Sequence, residues 1–236
     1  MKAATLTQLL KDRKAKTPVV LATNLATGAQ ALVYRNRADG PLAENATVVE
    51  AAREAMRDDR STTVQTTEGE VFLQVFNPPL RMVIVGAVHI AQPLSRMAAV
   101  AGYDVTVVDP RGSFATDDRF PGVTLIAEWP DEAMPGLDLD RRTAVVTLTH
   151  DPKIDDPGLH VALKSDAFYI GALGSRRTHA GRIERLREAG FNDAEIGRIH
   201  GPVGLSLGAV SPAEIAVSIL GQITGVLHEK ETKAAA

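Results

Sequence analysis

Three short stretches of this sequence carry residue types able to bind or move charge. The first is Gly86-Ala87-Val88-His89, which ends the apolar run Met82–Val85. A glycine there permits a tight turn and brings backbone N–H groups toward an anion. Asp109 stands 23 positions beyond Gly86 and closes a second apolar run, Val105–Val108. A carboxylate so placed can accept hydrogen bonds from two ribose hydroxyls, or it can pair with Arg111 as a simple turn residue. The second stretch is Thr149-His150-Asp151, directly after Ala144–Leu148. His150 can give or take a proton or ligate a metal, and Asp155 and Asp156 follow, although the spacing fits no standard metal motif. The third is Gly171-Ala172-Leu173-Gly174-Ser175-Arg176-Arg177-Thr178. Gly174, the Ser175 hydroxyl, helix-start N–H groups and the Arg176 and Arg177 guanidiniums together suit a phosphate or other oxyanion. The alternative there is a solvated helix face, since Arg182, Arg185 and Arg187 continue the run. The glycines of His200–Leu205 and Gly208 point to backbone approaching a ligand or a neighbouring strand closely.

These stretches need a frame that gathers them. Strand, glycine turn, helix, strand and acid is the Rossmann arrangement. Val88, however, occupies the place of the second glycine, where a dinucleotide's diphosphate usually rests. From Arg81 onward apolar strands alternate with helices. The strands are Met82–Val85, Val105–Val108, Thr124–Ala127, Ala144–Leu148 and Ala167–Ile170, and the helices lie near 89–101, 156–164 and 176–189. A last helix opens on Ser211, Pro212 and Glu214, with Ile215, Ile219 and Ile223 along one stripe. The prediction is an α/β protein: a carboxy-terminal Rossmann-like parallel sheet with helices on both faces, plus a small amino-terminal α/β domain. In the amino-terminal part, Leu6, Leu9 and Leu10 have helical spacing. Pro18–Thr23 with Ala31–Tyr34, and Thr63–Thr66 with Val71–Phe76, read as hairpins. Thr47 to Glu50 has capping-box spacing for a helix between them. Asn77-Pro78-Pro79 marks a boundary, giving residues 1–77, a linker 78–81, a domain 82–230 and a frayed tail 231–236.

Composition narrows the function. The chain has 236 residues, a formal net charge of −3 and only 4% aromatic residues. That argues against nucleic acid or a membrane surface as a general partner. There is no cysteine, hence no disulfide, thiolate metal site or sulfur relay through this chain. No apolar segment is long enough to span a bilayer, and no signal-peptide core is evident, so the expected compartment is the cytoplasm. No nucleophile elbow or phosphate-loop lysine points to a hydrolase or NTPase. On the residues alone, one reading is an NAD-using oxidoreductase, favoured by Asp109 and opposed by Val88. Another is a protein-binding scaffold with a vestigial nucleotide cleft.

Taken together and in order, several segments resemble the XdhC/CoxI family of accessory proteins for molybdenum hydroxylases. They are Ile84–Ala91, Val108–Arg111, Leu148–Asp151, Gly171–Arg176, Pro202–Leu205 and Ser211–Ala216. The resemblance covers nearly all of 82–228, and Pro18–Tyr34 looks like the latter part of the family's amino-terminal domain. It implies a non-enzymatic maturation role. Such a protein binds molybdenum cofactor, as molybdopterin or its cytosine dinucleotide, and shields it while its terminal sulfur is installed. It then assists insertion into an apoenzyme such as xanthine dehydrogenase or carbon monoxide dehydrogenase. Implied partners are that apoenzyme, a cysteine desulfurase, and further a molybdopterin cytidylyltransferase; a homo-oligomer is expected. Two departures stand out. Val88 replaces the family's usual glycine, and the family's early glycine-rich and cysteine-containing segments are absent, which a short homologous subunit would supply. The residues expected to hold the cofactor are Gly86, His89, Asp109, His150, Gly174, Ser175 and Arg176, with no metal ligand among them.

Overall fold

The computed structural model describes the backbone of residues 2–234 and the side chains of residues 2–228. It divides into two units, Met1–Pro78 and Pro79–Ala236. In the first, α1 (Ala3–Lys14), β1 (Val19–Asn24), β2 (Gln30–Val33), β3 (Ala38–Asp39), α2 (Ala46–Arg57), β4 (Thr62–Thr66) and β5 (Gly69–Phe76) follow in order. The strands form an antiparallel sheet ordered β3-β2-β1-β5-β4. Alternation along central β1 sends Val20 and Ala22 to the α2 side, against Val48 and Ala52, while Val19 and Leu21 meet Leu9 and Tyr34 on the other. Of the three leucines at helical spacing only Leu9 is buried; Leu6 and Leu10 face solvent. The α2 cap is Asn45, whose side chain accepts the Val48 N–H, two residues before the expected Thr47 box. Asp12 is buried and accepts a 2.7 Å hydrogen bond from the Tyr34 hydroxyl.

The second unit contains β6 (Leu80–Val85), α3 (Ala91–Val100), β7 (Tyr103–Val108), β8 (Thr124–Ile126), α4 (Pro130–Ala133), β9 (Thr143–Thr147), α5 (Pro152–Leu163), β10 (Tyr169–Ala172), α6 (Arg176–Glu188), α7 (Asp193–Ile196), β11 (Ile199–His200) and α8 (Pro212–Ala234). All its strands are parallel, in the order β11-β10-β9-β6-β7-β8. The chain thus starts at the centre, builds outward through β7 and β8, then crosses back to build through β9, β10 and β11. Right-handed crossovers put α3 on one face and α5 and α6 on the other, and α8 returns to the α3 face. Met82, Ile84, Val105 and Val107 pack on Leu94 of α3 and on Ile219 and Ile223 of α8. The alternate residues Val83, Val85, Val145 and Ile170 pack on Leu159 of α5 and Leu186 of α6.

Boundaries differ from expectation where local chemistry overrides pattern. β6 begins at Leu80, so the double proline is a junction rather than a four-residue linker. β10 lies two residues later than the apolar run suggested. α5 starts at Pro152, ahead of the expected start near 156, because the Asp151 side chain caps it through the Lys153 N–H; Pro157 lies inside the helix. The Ser211–Glu214 capping box forms as predicted. α8 continues to Ala234 through most of the segment expected to fray, and residues 235–236 of that segment lie outside the described residues.

Candidate functional site

Sheet register aligns the three stretches singled out above. Val85 pairs with Val108 on one side and with Thr147 on the other, and Thr147 pairs with Ala172. Asp109, Gly86, Leu148 and Leu173 are therefore the first residues past one row at the carboxyl edge. Strands stand roughly 4.8 Å apart, so the β6 and β10 turns are separated by only about 10 Å. The gap between β6 and β9 is where strand order reverses, the usual place for a ligand in such sheets.

At that switch point Gly86 has φ 106°, and a Cβ there would fall well inside contact with Cγ2 of Thr149. The glycine thus serves close packing of the β6 turn against the β9 loop. Val88 is partly buried and packs against the α3/α8 core. Its methyl groups serve that core, and α3 does not begin until Ala91. The N–H groups of Val88, His89 and Ile90 find no acceptor among the described residues. His89 is exposed beside them.

Asp109 is fully buried. Its Oδ2 accepts from the Ala87 N–H at 2.7 Å and from Arg111 Nη2 at 2.7 Å. Oδ1 accepts from the Arg111 backbone N–H and from Nε, both at 2.9 Å. Burial opposes its charge, but the Arg111 side chain, the two backbone donors and the Arg111 charge hold its pKa below the ordinary carboxylate range. A carboxylate offers about four lone-pair sites, and all four are filled. The ribose role expected of Asp109 is therefore closed in this arrangement, and the carboxylate instead clamps the β6 turn to the β7 loop. The same saturation removes the main sequence argument for NAD.

Beyond β9, His150 is exposed and has φ 62°, a left-handed conformation uncommon outside glycine. Asp155, 1% exposed, holds it there. Its Oδ1 accepts the Thr149 hydroxyl at 2.7 Å and N–H at 3.2 Å, and its Oδ2 accepts the His150 N–H at 3.1 Å. Burial raises the Asp155 pKa, opposed by Thr149, the Arg182 charge and His150. Asp155 is thus a support beneath the loop. Asp156 is likewise engaged, in a two-pronged pair with Arg185 at 2.6 and 3.1 Å. No cluster of three or more potential metal ligands occurs among the described residues.

The third turn opens α6. Gly174 takes φ 148° and passes close to Thr178. Ser175 is the N-cap: its hydroxyl accepts the Thr178 N–H at 3.1 Å and lies 2.9 Å from the Thr178 hydroxyl. Its expected part in ligand binding therefore competes with capping. The N–H groups of Gly174, Ser175, Arg176 and Arg177 have no acceptor among the described residues. Arg176 and Arg177 are exposed and make no hydrogen bond or ion pair there. Four amides at a helix start and two exposed guanidinium forks have the chemistry to take an anion. The rest of the arginine run is solvated only at its far end, where Arg187 is exposed. Arg182 is 1% exposed, Arg185 is paired with Asp156, and Arg187 pairs with Asp193 at 2.9 Å.

Arg182 is the residue that pattern reading missed. Its Nη2 donates to the Leu173 carbonyl at 2.8 Å and stands 4.0 Å from Asp155. The available signal was position: Arg182 precedes buried Leu186 by one turn, and Asp155 precedes buried Leu159 by one turn. The glycines after β11 approach protein atoms. Gly201 packs on the ring of His179, and a Cβ on Gly204 would come 2.5 Å from Ser218 Oγ.

Fold and edge together define a Rossmann domain whose carboxyl edge gathers backbone N–H groups without acceptors among the described residues and two exposed arginines. The chain belongs to the XdhC family: the family model described as the XdhC Rossmann domain matches residues 82–223. Among relatives, the molybdenum cofactor insertion chaperone PaoD of Escherichia coli K12 is 34% identical over 157 residues, covering 66% of this chain and 43% of that protein. A Bacillus subtilis 168 protein named as a probable xanthine dehydrogenase subunit is 32% identical over 160 residues, covering 67% and 46%. The E. coli protein YqeB is 32% identical over 158 residues, covering 66% and 29%. The matches therefore take in less than half the length of each of these relatives. A crystal structure described as a xanthine dehydrogenase from Bacillus halodurans shares the fold, with a TM-score of 0.75 at 24% identity, covering 98% of this chain and 68% of that one. No described helix is long and apolar enough to cross a membrane.

Proposed function

We propose that this chain holds a molybdenum cofactor at the carboxyl edge of its parallel sheet and delivers it to a molybdenum hydroxylase. The observation that carries the reading is the XdhC family match over the domain bearing the anion-ready turns, joined to the name of the PaoD relative. The cofactor is cargo. Its pterin carries a phosphate, or a diphosphate in the dinucleotide form, and the donors at this edge suit such a group. In this reading Arg176 and Arg177 supply forked, charge-assisted hydrogen bonds, the amides of Gly174–Arg177 cradle phosphoryl oxygens, and His89 and His150 flank the cleft. Gly86 and Asp109 shape the adjoining turn. With no cysteine in the chain, the cargo's metal receives no thiolate from it, and retention rests on the pterin and phosphate ends. The chain would shield the cofactor while a cysteine desulfurase installs the terminal sulfur. A cytidylyltransferase would act before it where the dinucleotide form is used.

The test is purification of the chain from a cofactor-producing host, with bound small molecules and proteins identified by mass spectrometry. Recovery of a pterin in near-stoichiometric amount, and its loss in Arg176→Ala, is expected. Recovery of NAD with no pterin would replace this reading with the oxidoreductase one. Recovery of an apoenzyme with neither would leave a scaffold.

A further inference from the structure

We infer that Asp155 and Arg182 are positioning residues that set the His150 loop and the Gly174 turn as one oxyanion site, contacting a single phosphoryl or diphosphoryl group from both sides. The inference rests on the proposed anion-holding role of this edge and extends it to how the edge is built.

Each member of the pair is bonded to a loop more closely than to the other member. Asp155 takes three hydrogen bonds from Thr149 and His150. Arg182 gives its shortest bond to the Leu173 carbonyl. Between carboxylate and guanidinium the distance is 4.0 Å, longer than a direct charge-assisted bond. The remaining Arg182 contacts are sparse: Nη1 lies 3.4 Å from His179 Nδ1, and Nε has no partner. An ion pair built for stability would be close and fully bonded, and buried pairs are in general poor sources of stability. Here two buried charges instead hang two neighbouring loops from one point. The outcome is visible in the loops. His150 keeps its left-handed backbone, which fixes where its side chain leaves the chain, and Leu173 is held so that Gly174 passes directly over Arg182 Nη2, 3.7 Å from where a Cβ would stand. β9 and β10 are adjacent strands roughly 4.8 Å apart. One diphosphate can therefore meet the α6 amides on one side and the His150 imidazole on the other. The Arg182 guanidinium reaches back along α6 to the Leu173 carbonyl beside the helix start, with the Asp155 carboxylate 4.0 Å away balancing its charge, so the two act on the site by holding its loops.

Pyrophosphate titrated into the full chain, followed by NMR and calorimetry, provides the test. The Gly174–Arg177 amides and the His150 imidazole should shift together on one saturation curve. Arg182→Met and Asp155→Asn should each weaken binding about tenfold, and the double variant should be no more than slightly worse than either, because the two act as a unit. Arg182→Lys should recover part of the loss, and Arg187→Ala, at the far end of α6, should bind like the parent chain. Separate saturation curves, an unmoved His150, or additive losses near a hundredfold would overturn the inference. Should the core variants fail to fold, the parent-chain curves decide alone. A joint curve without pterin recovery in the co-purification would sink the cargo reading while leaving the positioning role intact.

Discussion

Replacing Gly86 with alanine should be among the most damaging single-methyl changes in this domain. Two costs combine. At φ 106° an L residue is outside its ordinary wells, worth about 1–3 kcal/mol. The new methyl would also run into Cγ2 of Thr149, an overpacking cost of about 1–3 kcal/mol. Thr149 cannot simply rotate away, because its hydroxyl is bonded to Asp155 at 2.7 Å. The expected loss is about 2–6 kcal/mol, a large fraction of a typical domain's stability. Urea unfolding measures it, with Gly190→Ala as reference: Gly190 has φ 93° but nothing within 4 Å of a Cβ, so it reports strain without the clash. The diagnostic step is Thr149→Ser, which removes the methyl and keeps the hydroxyl. In that background Gly86→Ala should cost about 1–3 kcal/mol less than in the parent chain, the overpacking share of the penalty. An undiminished cost would refute the claim that Gly86 exists for contact with Thr149.

Other expectations concern charge and anion binding. Asp109→Asn should cost about 2–4 kcal/mol at pH 7 by breaking a buried carboxylate's bonds to Arg111 and Ala87. Because the folded pKa lies below the ordinary 3.8, this stability is present above about pH 4 and lost as pH falls through the folded value. Unfolding midpoints of parent and variant should therefore converge in acid, and a gap constant down to the lowest pH would contradict the assignment. Tyr34 is pushed up to about 12 by burial and by its hydrogen bond to Asp12. Folded chains then hold that proton more tightly than unfolded ones, so stability should decline from about pH 10 upward, and Tyr34→Phe should flatten the decline. Arg176→Ala and Arg177→Ala should each weaken pyrophosphate binding about tenfold without moving the urea midpoint, since neither side chain bonds to another of the described residues. A shifted midpoint would mean a structural role instead.

Five of the six parallel strands, the four long helices of that domain and the gathering of the three turns followed from pattern, because buried parallel strands and capped helices leave period and boundary signals in sequence. The two-residue edge strand β11 and the one-turn helices α4 and α7 are too short to leave one. What pattern could not give was which polar groups are consumed inside the protein. Asp109 has the residue type and spacing of a ribose acceptor, yet its four lone-pair sites are taken by Ala87 and Arg111. Ser175 suggested a ligand hydroxyl and became a helix cap. Arg182 sat in a run that read as solvated, but tertiary packing buried it. Part of this saturation is local, from Arg111 two residues beyond Asp109 and Thr178 three beyond Ser175, and part, from Ala87 to Asp109 and from Arg182 to Leu173, becomes legible only once the turns are assembled. Boundary shifts had the same origin in local chemistry: Asn45 outcompeted Thr47 as a cap, and Asp151 with Pro152 started α5 ahead of Pro157.

The most direct test of the central claim is transfer. The chain, loaded with molybdenum cofactor in a producing host, would be mixed with a cofactor-free molybdenum hydroxylase, and the pterin content of both proteins measured after separation. The account predicts that the chain holds close to one pterin per binding edge before mixing and loses it to the hydroxylase afterward, and that Arg176→Ala reduces the initial load. A chain that never carries pterin, or whose pterin stays in place beside an empty hydroxylase, would contradict it.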